Sequence, residues 1–211
     1  MGPLAARKLA CRRGRRLLFR GLDMRLEAGS VTWLRGTNGS GKTSLLRILA
    51  GLSQPTEGEV FWGGQPWRRA SALARQGTIY ISHANALKDD LTLSEAVAFG
   101  GALSGLEASS VRADAALDAM GLRTRRDAAV RTLSQGQRRR GALARLRLDD
   151  LPRTWILDEP FDALDAASVE SLGHLIETHA GRGGAVLLTS HQAVALAGLR
   201  EFDLEPFRAQ S

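Results

Sequence analysis

The 211-residue chain carries a single cysteine, Cys11. It therefore forms no internal disulfide and fits a reducing compartment. A packed small residue is the expected role for that thiol. Long apolar runs are missing too. One short run, Gly184-Ala185-Val186-Leu187-Leu188, has the length of a buried strand, and every apolar run falls far short of the roughly 18 residues of a membrane-spanning helix. No internal repeat or low-complexity tract is visible. Acidic residues are scarce at the start: seven Lys or Arg precede Asp23, and the formal net charge is +7. Charge of that sign fits a nucleic-acid surface, an anionic membrane surface or a solvated basic face. Aromatics make up only 5% of the chain. No aromatic platform or recognition-helix motif accompanies the arginines, so no nucleic-acid partner is expected. An arginine-rich start also looks like a transit peptide. Against that reading, Leu17-Leu18-Phe19 through Leu26 belong to an early strand region of the folded domain.

What is present suffices for one domain spanning 1–211, with 44% apolar residues. The segment to about residue 35 reads as short strands with turns at Gly14, Gly21 and Ala28-Gly29. Val31–Leu34 is an apolar strand, followed by a glycine-rich loop and a helix over Thr43–Leu52. Pro55–Gly58 turns the chain into a strand at Glu59–Trp62, and Thr78–Ser82 is another strand. From about 86 to 150 the pattern is helical: Thr92–Ser104, Glu107–Met120 and Gln135–Asp149. Thr92 or Ser94 can cap the first of these, and Gly121 can end the second. Gly141, inside the third, should cost about 1 kcal/mol relative to Ala unless close packing requires it. Thr154–Leu157 is a strand, Ala166–Ala180 a helix, Ala185–Thr189 a strand, and a short helix is expected after His191. The alternation implies an α/β fold with a mainly parallel sheet core. The core comprises about 1–85 and 151–211, and the helical insert about 86–150.

Gly36-Thr37-Asn38-Gly39-Ser40-Gly41-Lys42-Thr43 fits G-x-x-x-x-G-K-[ST], with a strand before it and a helix after it. Glycines let backbone N–H groups turn inward around an anion, and the helix N-terminus, including Ser44, adds partial positive charge. Lys42 can reach the β- and γ-phosphates of ATP, and the Thr43 hydroxyl can ligate Mg²⁺. Trp155-Ile156-Leu157-Asp158-Glu159-Pro160 delivers two carboxylates at a strand's C-terminal end, where α/β ligands bind. Asp158 would hold Mg²⁺, directly or through water, and Glu159 would orient the attacking water. Leu133-Ser134-Gln135-Gly136-Gln137 opens a helix with a hydroxyl, a glycine and a free N-terminus suited to a γ-phosphate. Taken alone, Ser134 could equally be an ordinary N-cap.

The order of phosphate loop, helical insert, Leu-Ser-x-Gly-Gln and apolar-Asp-Glu resembles the ATPase subunits of ABC transporters over nearly the whole chain. The resemblance implies a P-loop nucleotide-binding core with an N-terminal antiparallel β subdomain and an inserted α-helical signature subdomain. It implies that Ser134, Gly136 and Gln137 contact ATP held by a second ATPase protomer in a nucleotide-sandwich dimer. Phe161-Asp162-Ala163-Leu164-Asp165 would then cross the dimer seam, and His191 would contact the γ-phosphate. Integral membrane permease subunits are the implied partners, and the cytoplasmic face of the bacterial inner membrane the implied peripheral location. Two positions depart from the common pattern. His83, eight residues before Leu91-Thr92, stands where a glutamine senses Mg²⁺ and the attacking water. A neutral imidazole there can hydrogen-bond a water. Arg13, before Gly14, stands where an aromatic stacks on adenine. Two readings of Arg13 stay open: a guanidinium that stacks on the base, or a solvated surface arginine.

These substitutions, with Phe19-Arg20-Gly21-Leu22, the helix from Lys42 to Leu52 and the run Trp155–Phe161, resemble the ATP-binding subunits of bacterial cytochrome c maturation heme exporters. Gln135 departs from the alanine frequent there. That resemblance implies heme delivery for c-type cytochromes. An ATPase of another small-substrate or lipoprotein exporter would share every motif. A non-transport ATPase of the family would carry tandem cassettes or heptad insertions, and a GTPase an Asn-Lys-x-Asp-like reader; none of these features is in the sequence.

Overall fold

A computed structural model of the chain describes residues 4–66 and 77–209. The first two strands, β1 (Leu4–Arg13) and β2 (Arg16–Leu26), form a long antiparallel hairpin across the Gly14 turn. They are longer than the sequence pattern suggests, and Gly21 does not end a strand. The register runs from Leu9 opposite Leu22 to Cys11 opposite Phe19, so β2 holds one extra residue there. Gly21, at φ 70°, accommodates it as a bulge. With β4 (Glu57–Trp62) and β5 (Gln65–Pro66) they make an antiparallel sheet in the order β2-β1-β4-β5.

The second sheet is parallel throughout. Its strands are β3 (Val31–Arg35), β6 (Thr78–Ile81), β7 (Thr154–Leu157), β8 (Ala185–Leu188) and β9 (Leu199–Asp203), in the order β6-β7-β8-β3-β9. The short helix expected after His191 does not form. The Ser190 hydroxyl engages both backbone groups of Gln192, Glu177 accepts the Ala197 N–H, and Gly198 turns the chain at φ 67°. Side chains thus meet backbone groups that a helix would have paired. The chain continues as β9 alongside β3.

Helix α1 (Lys42–Leu49) follows β3. Between β6 and β7 lie α2 (Leu93–Leu103), α3 (Ser110–Asp118) and α4 (Gln135–Ala144), the last prolonged by a 3-10 turn at Arg145–Leu148. Helix α5 (Ala166–Gly181) joins β7 to β8. Thr92 caps α2 through a reciprocal capping box with Glu95. Ser109 caps α3, which therefore starts later than its apolar pattern suggests. Gly141 has the packing reason it needed: a Cβ there would lie 2.6 Å from Leu93 Cδ1.

Alternation along the central strands divides the core into two layers. Trp155, Leu157, Val186 and Leu188 face a cluster completed by α2, α3, α4 and α5. Ile156, Ala185 and Leu187 face the opposite cluster, built on α1 and the antiparallel sheet. Ile81, Leu157 and Leu188 are register partners at the strand ends. The segments after β3, β6, β7 and β8 therefore emerge along one edge of the sheet, where open α/β sheets bind ligands.

Candidate functional site

That edge carries a cavity of about 670 Å³ lined by Arg13, Arg16, Leu18, Asn38, Gly39, Gly41, Lys42, Thr43, Ser44, His83, Asp158, Glu159 and His191. Six separate segments meet here, including both unusual positions, Arg13 and His83.

The loop after β3 wraps the α1 N-terminus. Gly41, the residue before the helix, adopts φ 108° and provides no side-chain cap, so the first-turn N–H groups of residues that line the cavity keep no side-chain partner from it. A Cβ at Gly41 would also lie 3.1 Å from the Phe19 ring of β2. Lys42 Nζ donates to the carbonyls of Gly36 at 2.7 Å and Thr37 at 3.3 Å. Ser40 is buried behind the loop. Gly36, Thr37 and Ser40 shape the loop without lining the cavity. Thr37 is held from the chain's far end: its N–H and hydroxyl both donate to Glu205 at 2.6 Å. Those bonds keep the Glu205 carboxyl below its ordinary range. Sequence reading had no signal for this strap, because Glu205 lies 168 residues away.

At the end of β7, Asp158 is buried and accepts from Thr189 Oγ1 at 3.0 Å, with Thr43 Oγ1 at 3.4 Å and Tyr80 Oη at 3.5 Å. Burial first, and Asp158 second, push the Tyr80 phenol up to about 12. Glu159 adopts φ 51°, a left-handed conformation that costs a non-glycine residue about 1–2 kcal/mol. Its N–H donates to Thr189 Oγ1 at 2.9 Å, and its carboxylate accepts the His191 N–H at 2.9 Å. The His191 ring Nε2 stands 3.5 Å from Glu159 Oε1. Burial pushes the Glu159 carboxyl above its ordinary range, with His191 opposing. A carboxylate of raised basicity beside an imidazole and a phosphate-loop lysine suits activation of a water against an anionic substrate.

The donor set also fits Mg²⁺. Thr43 and Asp158 present hydroxyl and carboxylate oxygens 3.4 Å apart, the hard ligands this ion takes alongside phosphate and water. Among the described residues no group of three or more His, Cys, Asp or Glu could hold a metal by itself.

The remaining expected residues divide between the cavity and two helix starts. His83 lines the cavity, but its Nδ1 lies 3.6 Å from Asp162 Oδ2 and its ring is exposed. Ser134 and Gln137 form a capping box at the start of α4, away from the cavity lining. A Cβ on Gly136 would lie 2.8 Å from the Ala163 carbonyl. Asp165 caps α5 by accepting from the Ser168 N–H at 2.8 Å. A second residue that sequence reasoning missed is Arg139, buried under the Asp158–Pro160 turn. It sits in a run of three arginines, with nothing in the sequence to set the middle one apart.

The profile of the ABC transporter family matches residues 19–162. The cytochrome c biogenesis ATP-binding export protein CcmA of Methylococcus capsulatus is 46% identical over 196 residues, which cover 93% of this chain and 94% of that protein. The same-named protein of Haemophilus influenzae is 42% identical, covering 98% and 97%. A solved dimeric bacterial ABC transporter cassette superposes with a TM-score of 0.80 at 21% identity, covering 95% of this chain and 94% of that one.

Proposed function

The chain belongs to the ABC transporter family, and we propose that it is the ATP-binding and ATP-hydrolysing subunit of the exporter that serves c-type cytochrome biogenesis, coupling hydrolysis to heme delivery. The observation that carries the hydrolytic reading is the convergence of Lys42, Thr43, Asp158, Glu159 and His191 on one cavity. The full-length likeness to cytochrome c biogenesis export proteins supports the cytochrome assignment.

On this reading, the N–H groups of Asn38, Gly39, Gly41, Lys42 and Thr43, with Ser44 and the Lys42 ammonium, bind the phosphates of ATP, and Arg13 flanks the adenine. Thr43 and Asp158 hold Mg²⁺, whose charge offsets that developing on the transferred phosphoryl group. Glu159 orients and polarises the attacking water, His191 contacts the γ-phosphate, and His83 hydrogen-bonds a water of the reaction. A second copy of the chain supplies Ser134, Gly136 and Gln137 to the same nucleotide, with the Asp165 loop at the seam. Closure of the two copies excludes water from the site. Membrane permease subunits convert closure and reopening into work, with this subunit peripheral to the cytoplasmic face of the inner membrane. Among the described residues no helix is long and apolar enough to cross a membrane.

The test is a bacterial strain lacking this gene, scored for covalently bound heme in its c-type cytochromes. The wild-type chain restores the heme-stained cytochromes and Lys42→Ala does not. Normal holocytochrome levels in the deletion strain would refute the cytochrome assignment. ATP hydrolysis by the purified chain tests the enzymatic assignment separately.

A further inference from the structure

The Arg139 side chain emerges from α4, five residues beyond Ser134, and is 2% exposed. A guanidinium has five N–H donors, and here the ring of acceptors is complete. Nε donates to Pro160 O at 3.3 Å. Nη2 donates to Asp158 O at 2.8 Å and Glu159 O at 2.6 Å. Nη1 donates to Ser82 O at 2.9 Å and Asn85 Oδ1 at 2.8 Å. Three of these acceptors are consecutive carbonyls of the turn that presents both acidic side chains. The other two flank His83.

Backbone strain collects at the same place. Five non-glycine residues have left-handed φ among the described residues: Lys8, Asn85, Ala86, Glu159 and Ala163. Asn85 and Glu159 bond Arg139 directly, and Ala86 follows Asn85. Ala163 lies under the start of the same helix, its carbonyl packed where a Cβ on Gly136 would clash. Such conformations persist only where the surroundings over-determine them, and α4 provides those surroundings through Arg139 and Gly136.

We propose that Arg139 is a positioning residue, which fastens the signature helix to the main chain of the catalytic turn and of the His83 segment, and so holds the Glu159 carboxylate in its working orientation. The inference rests on the hydrolytic reading of the cavity. Arg139 contacts main chain beneath the turn and does not line the cavity. Its loss therefore displaces the carboxylate while leaving the phosphate loop intact. The bidentate geometry explains why this position takes arginine: lysine has three donors radiating from one atom and cannot reach all five acceptors.

The experiment compares the full-length wild type with Arg139→Gln, Arg139→Lys and Asn85→Ala. It measures steady-state ATPase rates, equilibrium binding of a fluorescent ATP analogue, and amide hydrogen exchange over 82–85 and 158–160. Arg139→Gln lowers kcat at least tenfold with analogue affinity within twofold of wild type, and Arg139→Lys recovers part of the rate. Exchange in both segments accelerates in Arg139→Gln. If that variant fails to fold, Asn85→Ala decides: it removes one acceptor and lowers kcat about threefold at unchanged affinity. Unchanged kcat in the folded variants, or affinity lost in parallel with kcat, overturns the proposal. If the wild type itself shows no hydrolysis that depends on Lys42, the hydrolytic reading fails. Exchange at 158–160 then still judges Arg139: acceleration supports its grip on the turn, and none refutes it.

Discussion

Gly184→Ala isolates one packing decision and tests it in energy units. Gly184 precedes β8, and its φ is not left-handed, so alanine meets no conformational penalty of that kind. Its backbone is pinned on both sides: its N–H donates to His179 O at 3.0 Å, and its carbonyl accepts from Gly29 N at 2.9 Å. A Cβ would lie 2.6 Å from His179 Cε1 and nearer still to two other ring atoms. The ring is equally confined. It is 0% exposed, stacks on Trp155 with centroids 3.6 Å apart, and its Nε2 bonds Arg153 O at 2.9 Å. Either the backbone shifts, at about 1–3 kcal/mol for overpacking, or the ring leaves. Leaving adds about 1–3 kcal/mol for the orphaned hydrogen bond and about 1 kcal/mol for the stack. A loss of about 1–4 kcal/mol lowers Tm by roughly 2–16 °C in a domain of this size. Differential scanning calorimetry measures it. The clash lies where β7 and β8 begin, at the opposite strand ends from Asp158 and Thr189, so ATPase rate per folded molecule stays near wild type at low temperature. A Tm change under 2 °C would show that the ring or the backbone yields freely, contrary to the confinement described.

On the proposed role of Lys42 at the β- and γ-phosphates, Lys42→Ala lowers ATPase turnover by about 100-fold or more; full turnover would refute the phosphate-loop assignment. Glu159→Gln keeps the shape of the side chain but not its basicity, so ATP binding persists while turnover falls by about 10²–10⁴-fold. The same variant accumulates as an ATP-bound dimer on size-exclusion chromatography, and a monomer that hydrolyses ATP normally would contradict the role. Because burial raises the Glu159 pKa, the acid limb of the ATPase rate lies above the ordinary carboxylate range, and activity falls as pH drops through it. Burial lowers the His179 pKa below 6.5, so the unfolded chain takes up the proton first; this contribution to stability is complete above that pH and declines below it, as urea midpoints across a pH series would record. His83→Gln retains most activity in the assembled transporter, and His83→Ala loses it; full activity in His83→Ala would leave the imidazole no catalytic role.

The legible parts of the fold were those in which one physical signal dominates a short segment. Strand β7, with its apolar run from Trp155 to Leu157 and two acids behind it, stood out because burial on both faces removes alternation. Helix α2 was readable from its apolar pattern and from Thr92, whose hydroxyl does bond Glu95 N. The hairpin was less legible. Arginines at 7, 12, 13, 15, 16 and 20 break its apolar pattern, and Gly21 carries the composition of a turn while serving as a bulge. Strand β9 was hidden by the alanine-rich run before it, which has helical propensity but finds its backbone partners in Ser190 and Glu177.

The cavity follows the same division. The phosphate loop and the Asp158–Glu159 pair are contiguous in sequence, and contiguity makes a motif detectable. Arg139 shows the converse. Between Arg138 and Arg140 its neighbours are partly exposed: Arg138 pairs with Asp89, and Arg140 reaches the Met120 carbonyl. Three arginines in a row have one appearance in sequence, yet the helical rotation of about 100° per residue sends each to a different environment. Only the middle one points under the Asp158–Pro160 turn, and four of its five partners are main-chain carbonyls, which every residue possesses. A side chain that recognises backbone leaves no pattern in the partner's sequence. The positions that grip a catalytic turn from below therefore become visible only when the geometry is known, while those that touch substrate announce themselves by type and spacing.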